Sequence, residues 1–420
     1  MPIKCVPTRP RHNGYSVSLP DVTPLRLSRY TCVSALGTGL DATLAALRAG
    51  RSGLAPCAFE TVRDLETCIG EVAGLDAISL PAELADFDCR NNRLALAGLR
   101  ADGFAAAVEA AIARHGRRRV GVLLGTSTAG ILQTEQAYRR RDPETGALPA
   151  DFLYASTHNT YSVGAFVHAY FGLQGPAMVV STACSSSAKV FASAARMIAA
   201  GLIDAAIVGG VDSLCLTTLY GFNSLELLSK RPCRPYAADR DGISIGEAAA
   251  FVLLERAPSE VGDDDILLLG VGESSDAHHM SSPHPDGLGA RMAMQAALDA
   301  AGLRARDIDY INLHGTATPS NDAAEGKAVA ALFGDRVACS STKGATGHTL
   351  GAAGGMEAVI AALALRNGFM PGGHNHTESD PDIAIHYLDA NLEQAPRRVL
   401  SNSFGFGGSN CSLILGRGQP

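Results

Sequence analysis

The 420-residue sequence has no long hydrophobic run. Nowhere does it approach about 20 uninterrupted apolar residues, the length that an α-helix needs to cross a bilayer. We therefore expect no membrane span. Residues 1–23 contain charged residues and prolines and lack the apolar core of a signal peptide. The simplest expectation for the location is the cytoplasm.

An excess of positive charge is also missing. The chain carries 35 Lys and Arg residues against 42 Asp and Glu residues, a formal net charge of −7. Binding to nucleic acid needs a basic face, so we expect no nucleic-acid partner. Only 18% of the residues are charged and 46% are hydrophobic, which indicates a large buried core. The 45 glycines and the Ala-rich helical patterns are typical of an α/β protein with close helix–sheet packing.

The ten cysteines form no CxxC pair and no regular framework of spacings. In a long cytoplasmic chain most cysteines are buried small side chains, and a single one can be chemically active. Disulfides are therefore not expected. The residues around each cysteine must identify the active one.

Hydrophobic periodicity divides the chain into alternating strands and helices. The polar segment 255–265 contains Pro and Gly and is the predicted boundary between two halves, 1–258 and 259–420. Each half contains a strand, a reactive loop and an Ala-rich helix in that order. The predicted strands are 24–34, 119–125, 177–180, 205–208 (stopped by Gly209-Gly210), 308–313 and 337–341, and the predicted helices are 40–49, 91–114, 188–200 and 351–365.

Cys184 lies in a turn rich in Ser and Thr, between a predicted strand and a predicted helix. Free N–H groups and the helix dipole at such a position stabilise an anion and can lower a thiol pKa toward roughly 3.5–7.5. A sharp turn would also expose the side chain and leave the Cys184 N–H free to join an oxyanion hole. The alternative is an inert buried cysteine, but the polar neighbours make a poor apolar pocket. We expect Cys184 to be a nucleophile.

Two histidines occupy Gly/Thr-rich loops after strands. His314 begins the loop 314–319, and His348 ends the loop 343–348. Open α/β sheets build their sites at the carboxyl ends of strands. Either histidine alone would more often be structural. A cysteine and two histidines at three such ends predict one catalytic site.

With these residues the sequence resembles the β-ketoacyl-acyl-carrier-protein synthases of the elongating, Cys-His-His type, in the thiolase superfamily. The resemblance covers about residues 33–415 and implies an α/β, thiolase-like fold with two similar halves in a five-layer αβαβα arrangement. Its markers, in chain order, are TACS at 182–185, RPY at 234–236, DRDG at 239–242, SSDAHHM at 274–280, HGT at 314–316, NDAAE at 321–325, STK at 341–343, TGH at 346–348 and NSFGFGGSN at 402–410.

The resemblance implies a role for each matching residue. Cys184 takes the acyl group, while His314 and His348 polarise the malonyl thioester and stabilise the enolate as CO2 leaves. Lys343 organises the histidines, and the N–H groups of Cys184 and Phe406 form the oxyanion hole, with Phe406 also acting as a gate. The supporting residues are Asp322, Glu325, Glu357, Phe404, Thr316 and Thr318, and Thr128 belongs to the acyl pocket. A buried salt network without chemical role remains an alternative for Lys343, Asp322, Glu325 and Glu357.

The implied partner is an acyl-carrier protein, and the implied assembly is a homodimer or a heterodimer with a ketosynthase-like chain-length factor. No cofactor is expected, because phosphopantetheine is carried by the acyl-carrier protein. We also expect no metal, since His278-His279 and the 374–376 segment (HNH) lack further ligands at suitable spacing. Ala317 replaces the Gly or Ser usual in the first histidine loop. Residues 1–28 do not follow the usual start and stay unassigned.

The expected reaction is the decarboxylative condensation of a Cys-bound acyl group with malonyl-acyl-carrier protein. A CoA-dependent thiolase is the alternative enzyme, and a Cys-His-Asn starter enzyme lacks a matching Asn loop here. A non-catalytic chain-length factor would lack the nucleophile, but this chain could be the catalytic half of such a pair. Fatty-acid elongation and a polyketide or polyene pathway both remain open.

Overall fold

The computed structural model describes residues 24–60, 62, 64–375 and 378–418. Most of the unassigned segment 1–28, and His376 of the 374–376 segment, lie outside these residues. The described strands are β1 Leu25–Ser34, β2 Gly37–Thr38, β3 Ala55–Pro56, β4 Cys68–Gly70, β5 Val120–Gly125, β6 Ala177–Val180, β7 Ala205–Asp212, β8 Ile245–Gly246, β9 Ala248–Arg256, β10 Ile266–Ser275, β11 Tyr310–Asn312, β12 Ala338–Ser340, β13 His386–Tyr387, β14 Arg398–Gly405 and β15 Ser409–Arg417. The helices are α1 Leu40–Arg48, α2 Arg90–Arg100, α3 Phe104–His115, α4 Ile131–Arg139, α5 Ser162–Tyr170, α6 Ser186–Ala199, α7 Leu216–Ser224, α8 Leu288–Ala301, α9 Pro319–Phe333, α10 Lys343–Thr346 and α11 Ala353–Asn367.

The main sheet consists of two halves with the same topology. One half has the order β1-β9-β7-β5-β6 and the other β10-β15-β14-β11-β12, with β13 added at its edge. When the five main strands of each half are numbered 1 to 5 in chain order, their order across the sheet is 1-5-4-2-3 in both halves. Among the described strands, the two halves of the sheet are joined where β1 and β10 pair at their first residues. This duplication agrees with the predicted pair of similar halves, while the boundary at 258/259 stays a prediction.

Helices α6 and α11 form the central layer between the two halves of the sheet. Helices α2, α3 and α5 cover the outer face of the first half, and α8 and α9 cover that of the second. Helix α11 is buried almost all round, as its apolar sequence requires of a helix enclosed between sheets. The thiolase-like five-layer αβαβα arrangement is therefore confirmed.

Two predicted elements differ from the structure. Strand β7 continues through Gly209 and Gly210 to Asp212, because these glycines admit α11: a Cβ on Gly355 of this helix would lie 3.1 Å from Gly209 Cα. The predicted helix 91–114 is two helices, α2 and α3, separated at Asp102, which has φ +53°. The Asp102 carboxylate accepts a hydrogen bond from Leu40 N (3.1 Å) and thereby caps α1.

The remaining predicted elements lie within a few residues of the observed ones. In the described part of the chain, no helix combines the length and the apolarity needed to cross a membrane.

Candidate active site

The fold brings Cys184, His314 and His348 together. Cys184 lies between β6 and α6, His314 follows β11, and His348 lies between α10 and α11. One side-chain N or S atom from each residue lies within 4.8 Å of the others. The two imidazole rings meet edge to face, with their centroids 5.4 Å apart. The predicted grouping of these three residues is thus present.

The turn that carries Cys184 is strained and tightly packed. Ala183 has φ +52°, a conformation that a non-glycine residue rarely adopts. The Ser186 N–H donates to Ala183 O (3.1 Å), and Ser186 Oγ accepts from Thr182 N (2.9 Å). Strand β5 ends against this turn at Gly125, where a Cβ would lie 2.3 Å from Ser187 N. The backbone therefore fixes the position of the Cys184 sulfur.

The expected exposed, low-pKa thiol is not observed. Cys184 is 5% exposed, and burial raises its pKa to about 11 despite the positive charge of Lys343 and the backbone N–H of Phe406, both of which lower it. The negative charge of Asp212 raises this pKa further. The start of α6 positions the sulfur, but it does not offset the cost of desolvating a thiolate. The resting side chain is a neutral thiol.

His348 is arranged as a hydrogen-bond donor toward Cys184. Its Nδ1 accepts a hydrogen bond from the backbone N–H of Leu350 (3.2 Å), and its Nε2 lies 3.0 Å from the Cys184 sulfur. A neutral imidazole whose Nδ1 is an acceptor carries its proton on Nε2. Leu350 reaches this position with φ +51°. The local backbone thus selects the tautomer of His348.

Lys343 selects the same tautomer in His314. Its Nζ lies 3.4 Å from His314 Nδ1, donates to His314 O (2.6 Å) and forms an ion pair with Glu357. These three acceptors use all three N–H groups of the ammonium. His314 is therefore left with a proton on Nε2, directed away from Lys343.

Both histidines are neutral at physiological pH. Burial holds the pKa of His314 and of His348 well below the usual value, and the positive charge of Lys343 lowers both further. Burial also raises the pKa of the Glu357 carboxyl to about 7, against the opposing influence of Lys343. The site offers two neutral N–H donors rather than a charged imidazolium.

The carboxylates of Asp322 and Glu325 hold the backbone of the His314 loop. Glu325 accepts from the N–H groups of His314 and Gly315 (both 2.8 Å), and Asp322 accepts from those of Thr316 (3.0 Å) and Ala317 (3.2 Å). Ala317 has φ +67°, so the residue that replaces the usual Gly or Ser stands in a strained conformation. Neither carboxylate lines the cavity at Cys184.

Two members of this network were not predicted from the sequence. Tyr236 donates from its N–H to Asp322 (2.9 Å) and from its hydroxyl to Glu325 (3.0 Å), and Asn402 Nδ2 donates to Glu325 (3.0 Å). Both residues belong to motifs that carry the family resemblance, RPY and NSFGFGGSN. Their positions in these motifs could have identified both residues from the sequence.

Phe406 lines the cavity at Cys184. Its backbone N–H donates toward the Cys184 sulfur, and its ring packs against that of Phe222 with the centroids 5.7 Å apart. The cavity has a volume of only about 50 Å³, enough for a few water molecules but not for an acyl chain. Thr316, Thr318 and Phe404 line it as well. The Phe406 ring is thus part of the wall of a small cavity, and its role as a gate stays a prediction.

Thr128 does not line this cavity in the single chain. Its hydroxyl donates to Asp212 Oδ1 (2.8 Å) and accepts from Ser213 N (3.1 Å). Its place in an acyl pocket stays a prediction.

The same Cys-His-His cluster has the spacing of a metal site, and the described residues contain no other such group of three. The ammonium of Lys343, 3.4 Å from His314 Nδ1, opposes a cation there. His279 Nδ1 instead accepts from Ser281 N (3.2 Å), and the ring of its neighbour His278 packs against His284.

Comparison with known proteins places this site in a family. The N-terminal domain of the β-ketoacyl synthases matches residues 30–259, and their C-terminal domain matches residues 267–377. The 3-oxoacyl-[acyl-carrier-protein] synthase 2 of Vibrio cholerae is 32% identical over 404 residues, which cover 92% of this chain and 97% of that protein. The Rhizobium meliloti protein of the same name is 40% identical over 313 residues, 71% of this chain and 74% of that protein.

Solved structures of ketosynthases are also similar to this chain. A chain from the complex of the ketosynthase ApeO with its chain length factor ApeC, from Xenorhabdus doucetiae, superposes with a TM-score of 0.85 at 39% identity, covering 95% of this chain and 99% of that one. A chain of the ishigamide ketosynthase/chain length factor also gives 0.85, at 28% identity, covering 94% and 100%. With both family domains matched in order around a Cys-His-His cluster, this chain belongs to the β-ketoacyl synthase family of condensing acyltransferases.

Proposed function

We propose that this enzyme condenses an acyl group on Cys184 with a malonyl group delivered by an acyl-carrier protein, releasing CO2. The observation that carries the proposal is the arrangement of the histidines: each has Nδ1 occupied and is left with an Nε2–H donor, and that of His348 lies 3.0 Å from the Cys184 sulfur. Two donors suit an enolate oxygen. A thiolase would require a base for proton abstraction, which neither histidine is arranged to be.

In the first half-reaction the Cys184 sulfur attacks the thioester carbonyl of the acyl carrier. The new Cys184–acyl bond forms as the carbon–sulfur bond to phosphopantetheine breaks, and the thiol proton ends on the leaving sulfur. The N–H groups of Cys184 and Phe406 hold the oxyanion of the tetrahedral intermediate. Because the resting thiol has a pKa of about 11, loading depends on positioning rather than on a standing thiolate.

In the second half-reaction the malonyl carboxylate leaves as CO2, and its electron pair forms an enolate whose oxygen accepts hydrogen bonds from His314 and His348. The enolate carbon attacks the acyl carbonyl on Cys184, the Cys184 sulfur leaves as a thiolate, and one proton from solvent restores the thiol. The product is a β-ketoacyl thioester, two carbons longer, on the acyl-carrier protein.

The remaining predicted residues support these steps. Lys343 and Glu357 fix the tautomer of His314, and the pair Asp322 and Glu325 shapes its loop. The Phe406 ring acts as the gate. Thr316, Thr318 and Phe404 face the entering phosphopantetheine, for which the Thr316–Thr318 hydroxyl pair (2.9 Å apart) offers polar partners. The protein holds no cofactor of its own in this proposal.

The proposed assembly is a dimer in the cytoplasm. Strand β6, immediately before Cys184, pairs with β5 on one side, and the described residues provide no strand on its other side. Its four residues are only half-buried although all are apolar. A second copy of the chain would cover this edge, and Thr128 would then lie near the partner's acyl pocket.

A heterodimer with a ketosynthase-like chain-length factor is the second candidate. It is favoured by the two structural relatives, which are described as ketosynthases with a chain length factor. In that case this chain supplies the nucleophile Cys184.

The test is intact-protein mass spectrometry after incubation with acyl-loaded carrier proteins, followed by addition of malonyl-loaded carrier. The expected result is an acyl adduct on Cys184 that disappears as CO2 and the β-ketoacyl carrier appear. Cys184→Ala should abolish the adduct, whereas Cys215→Ala, at another buried cysteine, should retain it. An adduct that persists on Cys184→Ala would overturn the proposal.

A further inference from the structure

A second cavity lies where the two halves of the sheet separate. Strands β1 and β10 pair only at Leu25–Leu268 and Arg26–Leu267. On the side of β1 that faces β10, residues 27–31 pair with no strand of the described chain. The register of β1 against β9 also shifts between Leu27 and Arg29, which leaves Ser28 as a bulge. Such irregularities often mark a site that a sheet has been shaped to form.

This cavity is separate from the one at Cys184. Its volume is about 280 Å³, and it is bounded by residues 26–30 of β1, the start of β10 and Arg366 near the end of α11. Glu357, the partner of Lys343, lies nine residues earlier on α11, roughly 14 Å along the helix axis. The two cavities share no lining residue.

The cavity lining carries one more positive than negative side chain. Arg26, Arg29 and Arg366 line it together with Asp264 and Asp265. Both carboxylates are already paired, because Asp265 lies 3.6 Å from Arg26, and Asp264 lies 3.4 Å from Arg417, which is outside the cavity. Arg29 and Arg366 form no ion pair with a carboxylate of the described chain at hydrogen-bond distance.

The cavity wall also contains two polar atoms that solvent does not reach, the Tyr30 hydroxyl oxygen and Arg26 Nε. Tyr30 is 4% exposed, and neither its hydroxyl nor Arg26 Nε makes a well-formed hydrogen bond within the described residues. The Arg366 guanidinium lies close enough to the Tyr30 hydroxyl for this contact to raise the pKa of Arg366. A buried polar group without a partner costs about 1–3 kcal/mol, so native proteins usually provide one.

We propose that this cavity binds a phosphate-class anion, held by the guanidinium groups of Arg29 and Arg366, with the buried Tyr30 hydroxyl positioning the guanidinium of Arg366. Guanidinium groups bind phosphate oxygens in pairs through their fixed fork of N–H donors. The Tyr30 hydroxyl contacts Arg366 from the buried side and helps to hold its guanidinium in place. The ligand is free inorganic phosphate or the terminal phosphate of a phosphomonoester, and the proposal does not depend on the reaction proposed for Cys184.

The test is isothermal titration calorimetry of the full chain with inorganic phosphate and, separately, with AMP, at constant ionic strength. Wild-type protein should bind one of them saturably with one ligand per chain. The double variant Arg29→Gln/Arg366→Gln should bind about a hundredfold more weakly, because each of the two lost charge-assisted pairs is worth about a factor of ten. Tyr30→Phe should weaken binding severalfold. Tighter binding of phosphate identifies the free anion as the ligand, and tighter binding of AMP identifies a phosphomonoester.

The matched control is Arg51→Gln/Arg291→Gln, which removes the same charge from two exposed arginines elsewhere. It should bind like wild type. Equal weakening by both double variants would reveal a general charge effect and overturn the proposal, as would the absence of saturable binding to wild type. Thermal melting without ligand should show that Tyr30→Phe and both double variants are folded.

Discussion

The Nε2 atom of His348 and the sulfur of Cys184 lie 3.0 Å apart, although 164 residues separate them in the chain. The Leu350 N–H occupies the other ring nitrogen, so the imidazole faces the sulfur as a donor. A base would present a lone pair at the same position. This one contact therefore separates a decarboxylating enzyme, which stabilises an enolate oxygen, from one that removes a proton from carbon.

Replacing either histidine should affect condensation far more than acyl loading. Loading requires only Cys184 and the two backbone N–H groups, whereas decarboxylation requires the imidazole donors. We expect His314→Ala and His348→Ala to form the acyl-enzyme detectably but to release CO2 from malonyl-carrier about 10²–10³-fold more slowly. The measurements are acyl-enzyme mass and CO2 release. The control His386→Ala, at an exposed histidine of β13, should behave like wild type. Normal condensation by both site variants would contradict the mechanism.

Alkylation of Cys184 should depend steeply on pH. Because its pKa is raised to about 11, the thiolate fraction, and with it the rate of iodoacetamide labelling, should rise about tenfold per pH unit between pH 7 and 9. The half-exposed Cys57 will also react, so the experiment uses a Cys57→Ser background. Phe406→Ala should speed labelling by opening the cavity. A labelling rate that is already constant between pH 7 and 9 would mean a low-pKa thiol and would contradict the burial argument.

Much of this site follows from the sequence because its signals are local. Cys184 and His314 each stand in a short loop after a strand, and such loop residues can be recognised without tertiary contacts. His348 follows the four-residue helix α10, where the sequence predicted a loop. The raised pKa of Cys184 could not be predicted in this way. It depends on how completely the tertiary structure, including the Phe406 loop, buries the sulfur.

The difference between local signals and distant contacts also explains the two secondary-structure elements that were predicted incorrectly. The break between α2 and α3 exists because the carboxylate of Asp102 caps α1, which is 62 residues away in the chain. Strand β7 passes through Gly209 and Gly210 because a helix from the other half of the chain packs there. In each case a distant partner overrides the local preference of the residues.

The Lys343–Glu357 pair should be separable into a structural and a functional contribution. Lys343→Met leaves Glu357 as an uncompensated buried group and should destabilise the fold by about 3–5 kcal/mol. The double variant Lys343→Met/Glu357→Met removes both charges and should recover most of that stability, as measured by urea unfolding. Condensation should stay impaired in both, because His314 has lost the ammonium that fixes its tautomer. If condensation recovers together with stability, Lys343 has only a structural role.

Stability should fall at mildly acidic pH through the two histidines. Their pKa values are held well below the usual 6.5, so below about pH 6.5 the unfolded chain binds protons that the folded chain does not. The free energy of unfolding should therefore decrease as the pH drops from 7 toward 5, by up to about 1.4 kcal/mol per pH unit for each histidine. The check is urea unfolding of wild type against His314→Asn/His348→Asn. The double variant should have a shallower pH dependence, and identical slopes would contradict the assignment.

The exposed edge of β6 should determine the oligomeric state. Met178 is apolar and half-buried in the single chain, and β6 leads directly to the Cys184 turn. A lysine there would place a charge in the middle of an apolar interface between chains. We expect Met178→Lys to convert a dimer into a monomer or an aggregate, measured by light scattering at micromolar concentration, and to lose condensation because the neighbouring Cys184 turn loses its support. The control Met292→Lys changes a half-exposed methionine of α8 and should stay dimeric and active.

An active wild-type monomer would refute the dimer. A wild-type chain that dimerises only when a ketosynthase-like partner lacking the cysteine is added would instead identify this chain as the catalytic half of a heterodimer.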